Sequence, residues 1–83
     1  MTISEADLFA ILGKALDTNP AAFTLETKAE EIPEWDSMGH LSILVALDTR
    51  LGGKVAQIDE MATASSVRAI ADLLKRHQLL KES

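Results

Sequence analysis

The 83-residue chain has no cysteine, and that one absence removes disulfides, thiolate nucleophiles and cysteine-rich zinc sites together. Two widely separated histidines, His40 and His77, do not build a metal site by themselves. Bases are scarce as well. Eight Lys and Arg stand against thirteen Asp and Glu, a formal charge of −5, so the basic footprint that phosphate backbones demand is missing and nucleic acid is not expected as a partner. Long apolar runs are lacking: Ile43–Leu47 spans five residues and no run exceeds that length, against roughly 20 needed to cross a bilayer. Thr2–Asp7 does not show the basic-then-apolar order of a signal peptide. A cytoplasmic protein without membrane insertion is therefore expected.

What remains is ordinary globular material, 47% apolar and 25% charged, too apolar for a disordered polar tail. One domain over residues 1–83 and a monomer are expected, since pieces this short do not split. A domain of this size buries only about 60 to 65% of its unfolded surface. With no covalent staple, stability rests on the core alone.

The apolar spacing outlines the elements. Leu8, Ile11, Leu12, Ala15 and Leu16 recur at three and four, one face of a helix over Ser4–Leu16, and Ser4 with Asp7 forms a capping box in which Asp replaces the usual Glu. From Asp17 the pattern dissolves through Asn19-Pro20, a Thr- and Glu-rich stretch and Pro33. This reads as an ordered loop of roughly 20 residues, pegged to the core by Phe23, Leu25 and Ile32. A second helix spans Ser37–Leu51, with Met38, Leu41, Leu44, Leu47 or Asp48, and Leu51 on one face, and it ends at Gly52-Gly53. Ile43, Val45 and Ala46 widen its apolar arc beyond one core-facing stripe, so this helix is either central or leaves apolar surface for a guest.

Lys54–Gln57 reads as a short extended link and Ile58–Ala62 as one helical turn. Ser65 or Ser66 caps a last helix with Val67, Ile70, Leu73, Leu74 and His77 inward. No strand pattern, repeat or low-complexity segment interrupts this order. The expected fold class is all-α, a bundle of three longer helices plus one short helix, with a long loop between helices one and two. Residues 1–36 hold eight acids and two bases, whereas 37–83 hold five acids and six bases, so the acidic field belongs to the first half.

Ser37 is the residue of chemical interest. A serine in the first turn of a helix holds its hydroxyl outward, beside unpaired backbone N–H groups and a partial positive charge that favour a phosphate ester by about 0.3 to 1 kcal/mol. The plainer alternative is that Asp36 or Ser37 merely caps the helix, worth about 1 kcal/mol.

Asp36-Ser37-Met38, followed by Leu41 and the run Ile43–Asp48, with Ser66-Val67 and Ala69-Ile70 in the closing helix, resembles the acyl carrier proteins and their aminoacyl and peptidyl relatives over nearly the whole chain. The resemblance implies an acyl-carrier-protein-like bundle. It also implies a covalent 4′-phosphopantetheine arm on Ser37, delivered from coenzyme A by a phosphopantetheinyl transferase, whose thiol carries acyl groups as thioesters. Asp36 is then the residue that helps the transferase and its magnesium ion recognise the site, and Met38 completes the motif. Implied partners are an acyl ligase, ketosynthase or acyltransferase in lipid metabolism, fatty acid biosynthesis included. The absence of cysteine agrees with a reactive sulfur borrowed from a cofactor; the chain carries and partner enzymes react, so no catalytic residue and no enzyme activity are expected. No Ser-His-Asp spacing, phosphate loop or metal cluster argues otherwise.

Two departures qualify the family reading. Helix two carries only Asp48 as an acid and adds Arg50, while Gly39, His40 and Ser42 stand where fatty-acid carriers often have acids or Thr. The usual electrostatic handle is weakened, which points to a specialised lipid, polyketide or cell-surface route. Asp36-Ser37-Met38-Gly39 also resembles the opening in D-alanyl carrier proteins, so an aminoacyl cargo stays open, as does a cofactor-free acidic helical interaction domain.

The neighbouring residues each carry two readings. Gly39, which costs a helix interior about 1 kcal/mol relative to Ala, is either a smooth surface for the arm or a partner, or tolerated drift. His40 contacts the arm's phosphate or a partner, or is a solvated surface residue. Trp35 is a partner contact or an anchor tying the loop to helix two. Met38, Leu41, Met61, Ala62 and Val67 either line a shelter for an acyl chain or pack as plain core.

Overall fold

A computed structural model describes residues 2–81. Within them lie three α-helices, α1 (Glu5–Leu16), α2 (Ser37–Arg50) and α3 (Val67–Arg76), and four short 3-10 turns, Pro20–Ala22, Ala29–Glu31, Val55–Gln57 and Asp59–Thr63. The fold is all-α: no strand is formed among the described residues, although isolated bridges pair Ile3 with Leu80 and Lys28 with Ser66. No helix among them is long and apolar enough to cross a membrane.

α1 begins at the capping box. The Asp7 N–H donates to Ser4 Oγ and the Ser4 N–H to Asp7 Oδ2, both at 3.1 Å, so two of the otherwise unpaired terminal groups are satisfied reciprocally. Its apolar face buries Leu8, Ile11, Leu12 and Leu16, and Asp17 ends it in the left-handed conformation at φ 55°.

Residues 17–36 run over the molecule with Phe23 buried and Leu25 and Ile32 half-buried against the core. Their backbone is tied to the entry of α3: the Val67 N–H donates to the Thr27 carbonyl at 3.0 Å and the Ala29 N–H to the Ser65 carbonyl at 2.8 Å. Thr27, buried itself, accepts from the Thr24 N–H at 2.9 Å. A polar stretch is thereby held by hydrogen bonds where it has few apolar groups to bury.

α2 corrects the expected face. Its inward stripe is Ile43, Leu47 and Leu51 with Leu44 at the margin, whereas Met38, Leu41 and Val45 are 80%, 60% and 58% exposed. At 100° per residue the exposed three lie together on the side opposite Ile43. The wide apolar arc thus leaves a surface stripe, and it falls on Met38, Leu41 and Val45 rather than on Ile43 and Ala46.

Two further expectations are corrected. Residues 54–57 are not extended but contain the 3-10 turn Val55–Gln57, because the Ala56 N–H is captured by Asp48 Oδ1 at 2.9 Å while Val55 drops into the core. His77 does not point inward; it is the exposed C-terminal cap of α3, and Leu79 and Leu80 supply the buried side chains beyond it. Ser66, rather than Ser65, caps α3 by accepting from the Ala69 N–H at 3.1 Å.

Candidate functional site

The loop arrives at α2 through Glu34-Trp35-Asp36. Asp36 is the N-cap: its Oδ1 accepts from the Gly39 N–H at 2.8 Å and its carbonyl from the His40 N–H at 2.8 Å. Ser37, the first helical residue, is exposed, and its hydroxyl makes no hydrogen bond to the described residues. Capping is therefore the work of Asp36 alone, and Ser37 is relieved of it. The Ser37 and Met38 N–H groups stay unpaired at the helix start among the described residues, which is the backbone setting that suits a phosphate oxygen.

Gly39 has a packing reason that neither expectation anticipated. A Cβ there would overlap the Glu34 carbonyl oxygen and lie 2.8 Å from Leu16 Cδ2. The chain before α2 folds back so tightly across the helix and the end of α1 that only a residue without a side chain fits. Gly39 sets the approach of the loop to Ser37 and faces inward rather than toward a visitor.

His40 is likewise not a solvated residue. Its Nδ1 accepts from the Trp35 indole N–H at 3.0 Å, and its Nε2 lies 2.7 Å from the Met61 carbonyl. The two rings are 12° from parallel with centroids 6.1 Å apart. A bare Nδ1 together with an Nε2 that donates to a carbonyl defines the neutral Nε2–H tautomer. Trp35 is 6% exposed and packs as an anchor; it lines the groove beside Ser37 but offers a partner little surface.

Two grooves flank this constellation. One of about 390 Å³ is bordered by Trp35, Asp36, Ser37, His40 and the segment Ala62–Ser65. The other, about 380 Å³, opens between α2 and the two following 3-10 turns, with Leu44, Val45, Val55, Ile58, Met61 and Ala62 on its walls. The expected set Met38, Leu41, Met61, Ala62 and Val67 is thus divided. Met38 and Leu41 lie outside, Val67 is in the core, and Met61 and Ala62 alone border a groove.

Asp48, the single acid of α2, is committed through Oδ1 to Ala56. Among the described residues no group of three or more potential ligands is placed to hold a metal ion. Compared with family models, with curated proteins and with solved structures, the chain matches none.

Proposed function

We propose that this chain is a carrier protein of the phosphopantetheine-dependent kind, with an acyl-carrier-like bundle, that holds acyl intermediates on an arm at Ser37. One observation carries the reading: an exposed serine hydroxyl with no hydrogen-bond partner among the described residues stands at the first position of α2 while the adjacent Asp36 performs the capping. A transferase would join the arm by forming a bond from Ser37 Oγ to phosphorus of coenzyme A as the bond to the nucleotide breaks, the hydroxyl proton leaving with it. Bound there, the arm supplies the thiol that this chain lacks.

The chain's own residues do the rest. Asp36 fixes the helix start through its bond to the Gly39 N–H, the Ser37 and Met38 N–H groups would be available to a phosphate oxygen, and Gly39 and His40 hold the loop in place. With Asp48 engaged by Ala56, the exposed Met38, Leu41 and Val45 take over from an acidic handle, which favours dedicated partner enzymes in a specialised pathway.

Incubation with coenzyme A and a broad-specificity phosphopantetheinyl transferase tests the reading by intact mass. The expected result is a gain of one phosphopantetheine group, absent in Ser37→Ala. An unchanged mass with several transferases overturns it and favours the cofactor-free helical interaction domain, for which the exposed stripe on α2 is the supporting observation.

A further inference from the structure

We propose that His40 is a proton-sensitive strap over the Ser37 groove, tying the segment before α2 to the turn Asp59–Thr63 when neutral and releasing Trp35 when charged. The inference deepens, and rests on, the reading of Ser37 as the modified residue, since it concerns regulation of that site. The strap itself is independent of any modification.

The geometry is specific about the proton. Trp35 Nε1 is a donor and nothing else, so it needs a lone pair opposite it, and His40 Nδ1 at 3.0 Å provides one. Met61's carbonyl is an acceptor and nothing else, so it needs the hydrogen that sits on Nε2, 2.7 Å away. Both needs are met together by one form of the ring, the neutral Nε2–H tautomer. A second proton converts Nδ1 into a donor facing another donor. The bond to Met61 survives, whereas the bond to Trp35 is lost and the buried indole N–H is left without a partner, which is costly in a packed site. Histidine is the side chain that changes charge between about pH 5 and 8.

The charged groups on the elements packed around the ring are Glu34 and Asp36 before α2, Lys28, Glu30 and Glu31 at the turn Ala29–Glu31, and Asp59 and Glu60 on the turn Asp59–Thr63, all solvent-exposed. Of these, Asp36 alone shares the groove with His40 and Ser37. Because Trp35, His40 and Ala62–Ala64 form the groove's wall beside Ser37, breaking the Trp35 link loosens the loop that presents the hydroxyl.

The test is nitrogen-15 NMR of the unmodified full chain between pH 8 and 5. The expected result at high pH is a bare Nδ1 and protonated Nε2 on His40, with a slowly exchanging Trp35 indole N–H. On acidification that protection is lost in the same one-proton step in which Nδ1 gains its proton, while far-UV circular dichroism is unchanged. His40→Asn, which keeps an acceptor near Nδ1 but cannot titrate, retains a protected indole N–H at both pH values. His77→Gln behaves as the wild type. An Nδ1–H tautomer, or an indole N–H that ignores the imidazole titration, overturns the proposal, and so does an acid step that persists in His40→Asn. These outcomes are read without coenzyme A, so they stand apart from the mass test of Ser37.

Discussion

At the residue scale, Asp36 and Ser37 illustrate how two neighbours of similar capping ability are told apart by their partners. Asp36 Oδ1 holds the Gly39 N–H at 2.8 Å, so Asp36→Ala is expected to cost about 1 kcal/mol in urea unfolding. Ser37→Ala removes a hydroxyl with no partner in the described chain and is expected to stay within about 0.5 kcal/mol of the wild type. Equal losses for the two would sink the assignment. Gly39 provides a second contrast. At an open helical position Gly→Ala stabilises by about 1 kcal/mol, but here the added methyl meets the Glu34 carbonyl and Leu16. Gly39→Ala is therefore expected to destabilise by about 1 to 3 kcal/mol, the usual toll of overpacking, in the same unfolding assay.

At the scale of the elements, α1 and α2 are joined by apolar packing and by one charged corner. Arg50 on α2 lies 3.7 Å from Asp7 on α1. Ser4 holds the Asp7 carboxyl below its ordinary value, first through its backbone N–H and then through its hydroxyl, with Arg50 adding attraction. A carboxyl depressed in the folded state stabilises the fold above its unfolded value, and that contribution is lost as pH falls through the folded one. Stability should accordingly drop on acidification below about pH 4, and Asp7→Asn should make the drop shallower in thermal melts taken across that range. An identical acid limb in the variant would show that Asp7 contributes nothing to it.

α2 separates sharply into two faces. Ile43→Ala is expected to cost about 2 to 5 kcal/mol because a fully buried side chain leaves a cavity. Leu41→Ser on the exposed stripe is expected to change stability by no more than about 0.5 kcal/mol. On the carrier function proposed above, its effect is expected instead as weaker engagement by a phosphopantetheinyl transferase, measured as a raised KM with the fold intact.

At the scale of the whole molecule, the two ends of the described chain are clasped. The Ile3 N–H donates to the Leu79 carbonyl at 3.0 Å and the Lys81 N–H to the Ile3 carbonyl at 2.8 Å, and Ile3, Leu79 and Leu80 are all buried. A small domain without disulfides has few kcal/mol to lose, so Leu80→Ala, expected to cost about 2 to 5 kcal/mol, should lower the melting temperature by a large step. The same clasp was illegible beforehand, because a bridge of single residues has no periodicity.

Features that depend on neighbours a few positions apart are written in the amino-acid order. The Ser4/Asp7 capping box, the three helices and most of their bounds, and the placing of Ser37 at the start of α2 are local matters of spacing and terminal hydrogen bonding. Features that depend on partners far along the chain emerge only when the helices pack. The role of His40 between Trp35 and Met61 has no local signature, because its donor stands five positions before it and its acceptor twenty-one after. Neither a smooth surface nor tolerated drift accounts for Gly39, because the carbonyl that excludes a side chain belongs to a loop whose path no pattern announces. α2 turned a different face inward because an apolar arc wider than one stripe does not say which part will be covered; that was settled by where α1 and the 3-10 turns came to rest against it.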